Sequence, residues 1–224
     1  MVKLSDAKIC LVISGGPIDL EFAAEYLKGR RFFWTIAVDA GLETAKKLDI
    51  VPDMVVGDLD SLDPTVTMYF GNKENLRWDV HDSEKNESDT ELALQWAAKM
   101  GCEEIAILGA TGGRLDHFIG NVHLLYPCMQ KGIFAYLIDP QNKIYLTDCS
   151  RRFVKKKLWG KYISFLPLTQ EVRGITLTGF KYPLGKKDIE IGTSLCISNE
   201  LKEEEGYLVF EEGVLICIES HDKD

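Results

Sequence analysis

Over the first 140 residues the apolar positions fall into short unbroken runs, each closed by a small polar turn and most followed by a stretch of helical period. Lys8-Ile9-Cys10-Leu11-Val12-Ile13 runs into Ser14-Gly15-Gly16-Pro17, the pattern of a strand buried on both faces and then a turn. Asp19 is placed to cap a helix whose apolar positions are Leu20, Ala23, Ala24 and Leu27, with Gly29 after its end. The same grammar recurs in Phe33 to Val38, the turn Asp39-Ala40-Gly41 and a short helix with Leu42, Ala45 and Leu48. Met54-Val55-Val56 and Arg77 to Val80 read as further strands. Ser88 and Glu91 form a capping box that opens a helix carrying Leu92, Trp96 and Met100 and ending at Gly101. Ile105 to Leu108, a helix through Phe118, Ile119, Val122, Leu125 and Met129 to Gly132, and Phe134 to Ile138 complete the series. This alternation predicts a mostly parallel three-layer α/β sheet, with ligands bound at the carboxyl ends of the strands.

After Asp139-Pro140-Gln141-Asn142 the pattern changes to short strands and turns: Lys143 to Thr147, Tyr162 to Leu166, Gly174 to Leu177, Ser194 to Ser198, Tyr207 to Phe210 and Val214 to Ile218. That spacing predicts a smaller antiparallel sandwich or barrel. The expected domains are residues 1–142 and 143–224.

Composition narrows the function. A chain of 224 residues, 46% hydrophobic, has enough apolar material for such cores, while a net charge of −9 argues against a general nucleic-acid binder. The basic run Arg151 to Lys157 reads as a solvated strand edge. No apolar run has the length of a membrane span, and the N-terminus lacks the pattern of a signal peptide, so a cytoplasmic protein is expected. The six cysteines are scattered without a Cys-x-x-Cys pair, which favours buried free thiols over disulfides or zinc.

The chemistry gathers at strand ends. In Gly57-Asp58-Leu59-Asp60-Ser61, an extended backbone points Asp58 and Asp60 to one side with Cα atoms roughly 6.5–7 Å apart, a span that a divalent cation bridges. Gly57 allows close approach to the backbone, and Ser61 adds a hydroxyl. Asp39 can cap a helix or add a carboxylate. Asp89 falls in a first helical turn, where the dipole suits a negative charge or a phosphate ligand. Gly112-Gly113-Arg114-Leu115-Asp116-His117 offers backbone amides and a bidentate arginine to phosphate, with Asp116 a better candidate than His117 for the chemistry. Ser14-Gly15-Gly16 has neither of the two common nucleotide-loop spacings. Ser198-Asn199-Glu200 can bond a polar ligand or shape a turn.

In this order and spacing, Val38-Asp39-Ala40-Gly41, Gly57-Asp58-Leu59-Asp60-Ser61, Glu87-Ser88-Asp89-Thr90-Glu91, Gly112 to His117 and Ile197-Ser198-Asn199-Glu200 resemble the thiamin pyrophosphokinase family over nearly the full length. The resemblance implies an N-terminal α/β domain that binds Mg-ATP, a C-terminal β-sandwich, and a homodimer with thiamin held between the two kinds of domain from different subunits. It implies that Asp58, Asp60, Asp89 and Asp116 serve catalysis, the first three of them also holding Mg²⁺. Asp39, Gly57, Ser61, Ser88, Gly112, Gly113 and Arg114 are then expected on the nucleotide, and Ser198 and Asn199 on thiamin. Asn86, Ser88 and Ala40 depart from the family's common aspartate, threonine and glycine. The implied reaction is ATP-dependent pyrophosphoryl transfer to thiamin. A pyrophosphokinase for another hydroxymethyl substrate such as a pterin, a non-catalytic thiamin or nucleotide binder, and a Mg-dependent phosphohydrolase are the alternatives.

Overall fold

The structure is a computed structural model that describes residues 7–58, 62–80 and 86–223. Two compact units meet in the chain between Pro140 and Gln141.

In the N-terminal unit six strands, β1 (Ile9–Ile13), β2 (Trp34–Val38), β3 (Met54–Gly57), β4 (Arg77–Val80), β5 (Glu104–Leu108) and β6 (Phe134–Ile138), pair in parallel in the order β6-β5-β1-β2-β3-β4. The helices are α1 (Leu20–Leu27), α2 (Gly41–Lys47), α3 (Pro64–Gly71), α4 (Asp89–Lys99) and α5 (Leu115–Gln130). Right-handed crossovers put α1 to α3 on one face and α4 and α5 on the other, in keeping with the packing of α2 on α3 and of α4 on α5. Covered on both faces, the central strands are continuous apolar runs, with Cys10 to Ile13 and Ile105 to Leu108 buried throughout. The chain leaves β1 toward β2 and later returns to β1's other side as β5. The ends of β1 and β5 therefore form the sheet's switch point, where open α/β sheets bind ligands.

The helix starts follow their caps: the side chains of Asp19, Asp63 and Ser88 accept the N–H groups of Phe22, Thr65 and Glu91. At α4 the capping box is half made, since the Glu91 carboxylate takes Gln95 Nε2 at 3.4 Å. The buried faces differ from those expected. In α1 they are Ala23 and Tyr26, with Leu20 exposed; in α4 they are Thr90, Ala93, Leu94 and Ala97 rather than Leu92 and Trp96. Trp96 instead lies at the side of the helix and donates its indole N–H to Asp79 at 2.7 Å. Helix α3, which has no strong apolar stripe, was not expected from the pattern; Pro64 behind the cap Asp63 is its local signal.

The C-terminal unit holds β7 (Asn142–Thr147), β8 (Arg151–Val154), β9 (Tyr162–Pro167), β10 (Glu171–Thr178), β11 (Leu184–Glu190), β12 (Asn199–Glu200), β13 (Glu205–Val209) and β14 (Leu215–Ser220). They form two antiparallel layers, β12-β9-β14-β7 and β11-β10-β13-β8. Phe153, Phe165 and Phe180 meet between the layers with ring centroids 5.7–6.0 Å apart. The basic run is edge strand β8 followed by a 3₁₀ turn at Lys155–Lys157, and Arg152 pairs with Glu205 of β13. Ser194 to Ser198 is not a strand: Ile197 N–H bonds the Ser194 carbonyl and Ser198 has φ of 56°, so the segment turns and leaves Leu195 and Ile197 exposed. All six cysteines are free, and only Cys149 is exposed. Among the described residues no helix is long and apolar enough to cross a membrane.

Candidate active site

A cleft of about 690 Å³ opens over the ends of β1 and β5. Its walls are the turns after β1, β2 and β5 and the first turns of α4 and α5. The close approach of these turns depends on glycine. Gly109 has φ of 72°, and a Cβ there would lie 2.5 Å from the Ser14 carbonyl oxygen, while Gly16 N–H bonds the Gly109 carbonyl at 3.0 Å.

Seven of the expected residues line this cleft: Asp39, Ser88, Asp89, Gly112, Gly113, Arg114 and Asp116. Asp39 has φ of 47°, a left-handed conformation that aspartate tolerates, and its N–H bonds the Val56 carbonyl at 3.0 Å. The N-cap of α2 is Ala40, which makes no side-chain cap, and Asp39 packs against Gly57, where φ is 148° and a Cβ would strike the carboxylate. Of the two readings of Asp39, a carboxylate on the cleft side is the one this arrangement supports. Buried Gly57 ends β3 beside it and half-buried Asp58 follows; neither is part of the cleft lining. Asp60 and Ser61 lie outside the described residues. Ser198 and Asn199 belong to the C-terminal unit.

The glycine loop after β5 packs on Pro17, and Asn121 of α5 holds it by donating to the Ala110 carbonyl at 3.1 Å. Arg114 is forked onto Asp116 two residues on, Nε to Oδ1 at 3.1 Å and Nη2 to Oδ2 at 2.5 Å. The guanidinium, helped by the His117 N–H, holds the Asp116 carboxyl down at about 2. The fork uses the Nε–H and one Nη2–H, so the Nη1 edge of the guanidinium keeps donors for a phosphate.

Among the described residues of the cleft wall, Asp39, Asp89, Glu91 and Asp116 stand with the guanidinium of Arg114, so a polyanion would meet a net negative surface there. Among the described residues no three of the histidine, cysteine and acidic side chains group as a metal cage. Of the carboxylates expected on the metal, Asp89 lines the cleft and Asp58 follows β3 nearby in the sheet; their oxygens suit Mg²⁺, which takes carboxylate, phosphate and water oxygens.

Asn199 is 3% exposed, and its side chain serves the fold. Oδ1 accepts Tyr182 N–H at 3.1 Å and Glu200 N–H at 2.9 Å, and Nδ2 donates to the Tyr182 carbonyl at 2.8 Å. Ser198 N–H bonds Ser164 Oγ at 2.9 Å. Thr90 and Asn121, both in the cleft wall, were missed from sequence. Neither carried a local signal: Thr90 lies off the apolar stripe expected for α4, and its burial shows only in the fold.

Family models match both parts of the chain: "Thiamin pyrophosphokinase, catalytic domain" over residues 29–137 and "Thiamin pyrophosphokinase, vitamin B1 binding domain" over residues 151–215. The thiamine pyrophosphokinase of Bacillus subtilis is 38% identical over 94% of this chain and 98% of its own length. The crystal structure of the Bacillus subtilis thiamine pyrophosphokinase superposes with a TM-score of 0.86 at 36% identity, covering 96% of this chain and all of that one. That of the Geobacillus thermodenitrificans thiamin pyrophosphokinase gives 0.84 at 32% identity, over 96% and 99%.

Proposed function

The chain belongs to the thiamin pyrophosphokinase family, and from this we propose that it transfers pyrophosphate from Mg-ATP to the hydroxyethyl group of thiamin, giving thiamin diphosphate and AMP. The observation that carries the site assignment is the cleft at the β1/β5 switch point, where a glycine loop and a helix N-terminus stand opposite a set of carboxylates.

In this reading the thiamin hydroxyl attacks the β-phosphorus and AMP departs from the opposite side. Such transfer is governed by positioning and by neutralisation of charge. Asp58, Asp60 and Asp89 would hold Mg²⁺, which when bound polarises the phosphate oxygens. The amides of Gly112 and Gly113 and the α5 N-terminus bind phosphate oxygens, joined by the Arg114 donors that the fork leaves unused, while Asp116 in the first turn of α5 serves catalysis by holding the guanidinium in place. One aspartate, Asp60 or Asp89, accepts the hydroxyl proton. Asp39 and Ser88 shape the nucleotide end, Ser88 by capping α4. Residues 143–224 carry the thiamin side, with Ser198 and Asn199 at the thiamin end and Asn199 also placing the Tyr182 segment, and the working form is a homodimer in the cytoplasm.

Purified protein with thiamin, ATP and Mg²⁺ is expected to yield thiamin diphosphate and AMP in equal amounts. ADP as the nucleotide product, or no thiamin diphosphate, overturns the proposal.

A further inference from the structure

Ser14 ends β1 and Thr90 lies in the first turn of α4, yet their hydroxyls are 3.0 Å apart and the two residues are only 6% and 8% exposed. Both line the cleft. Ser14 is held firmly on its own side: its N–H bonds the Leu108 carbonyl at 2.8 Å, and its carbonyl lies against Gly109. It is therefore fixed to the end of β5, from which the glycine loop departs. Thr90 follows Asp89 directly and is the buried residue of α4's first turn. An apolar side chain at that position would pack α4 on the sheet equally well; a buried hydroxyl needs a partner, and the strand end supplies one.

We infer that the Ser14–Thr90 pair positions Asp89: it ties the first turn of α4 to the strand ends that carry the glycine loop, so that the carboxylate and phosphate-binding walls of the cleft keep one spacing. The bond needs one of the two hydroxyl protons, leaving the other free to turn toward the cleft. Neither residue touches the reacting atoms in this account; both are positioning residues. The kinetic consequence rests on the proposed pyrophosphoryl transfer, whereas the structural consequence does not.

Thr90→Val keeps the shape and removes the hydroxyl, Ser14→Ala removes its partner, and Thr90→Ser keeps the bond. In the ligand-free protein, amide exchange at Glu91 and Leu92 is expected to quicken about tenfold in Thr90→Val and in Ser14→Ala, no further in the double variant, and not at all in Thr90→Ser. In turnover, both single losses are expected to lower kcat about tenfold while the KM for thiamin stays within about twofold. Unchanged exchange in both single variants, or effects that simply add in the double, overturns the clamp. If Thr90→Val does not fold, Ser14→Ala and Thr90→Ser decide the matter. If the wild-type protein forms no thiamin diphosphate, the activity proposal falls and the exchange measurement alone judges the clamp.

Discussion

In the N-terminal unit the described candidate carboxylates, Asp39, Asp58, Asp89 and Asp116, stand beyond the ends of β2 and β3 and in the first turns of α4 and α5, outside the buried core. In the C-terminal unit the chemically suggestive groups are built into the fold. Asn199 commits its amide to three backbone bonds, and Glu219, 7% exposed, takes the Tyr145 hydroxyl at 2.8 Å and the Trp159 N–H at 2.6 Å. A parallel sheet presents its loops at one end, free to vary without disturbing the strands. A small antiparallel sandwich has fewer such places, and its polar residues hold the turns. The same kind of substitution should therefore remove activity in one unit and stability in the other.

The largest effect tests the first half of this contrast. Asp89→Asn and Asp58→Asn are each expected to lower kcat by at least about 100-fold, since they withdraw charge where the reaction develops it. Removing a carboxylate from a helix's first turn costs about 0.3–1 kcal/mol, so the Tm of Asp89→Asn should stay within about 4 °C of wild type by calorimetry. Near-normal turnover in either variant removes that residue from the site. A large fall in Tm would show that this unit, too, leans on its site residues.

Asn199→Ala probes the other half. Three hydrogen bonds to buried backbone disappear together, and a loss of about 2–4 kcal/mol in urea unfolding is expected, with activity falling along with it. An Asn199→Ala protein of wild-type stability and no activity would reverse the assignment and make the amide a direct ligand of thiamin.

How much of this was legible in the sequence follows the same division. The apolar runs announced β1, β3, β5 and β6 because a strand buried on both faces has few polar positions to confuse the pattern, and the Arg114 loop stood out for its glycines. Strand order could not be read, and with it the meeting of the ends of β1 and β5 that creates the cleft; Thr90 looked like an ordinary helix residue until Ser14 arrived from 76 positions away. In the second half β11, lysine-rich with only Ile189 buried, carried no apolar alternation to announce it. Ser194 to Ser198 had the right residues for a strand but turns at Ser198. Asn199 was singled out by its motif, yet its role in the fold rests on Tyr182, a contact that no local pattern records.

Arg114→Gln sharpens the contrast within the first unit, because the Arg114–Asp116 pair is exposed on both sides. Its loss should leave Tm nearly unchanged. The measurable change is in titration: without the guanidinium, the Asp116 carboxyl should rise from about 2 toward the ordinary carboxylate range, followed by NMR. The sign for stability follows from the lowered value. What the pair contributes is present above the carboxyl's unfolded pKa and is lost as pH falls through about 2, so the variant and wild type should differ least in strong acid. The KM for ATP should rise about tenfold, the share of one charge-assisted bond.

The smallest effect falls on Ser88, which stands on the line between the two kinds of residue. Its hydroxyl accepts the Glu91 N–H at 3.2 Å and so caps α4, and the residue also lines the cleft beside Asp89. Ser88→Ala is expected to cost about 1 kcal/mol of stability, the usual worth of an N-cap, and Ser88→Thr to restore it. If capping is its whole role, kcat in Ser88→Ala should fall only as far as fraying of the first turn displaces Asp89, and amide exchange at Glu91 should rise in proportion. A kcat that drops by far more than the exchange predicts would place the Ser88 hydroxyl on the nucleotide itself, and the N-cap of α4 would then serve fold and chemistry at once.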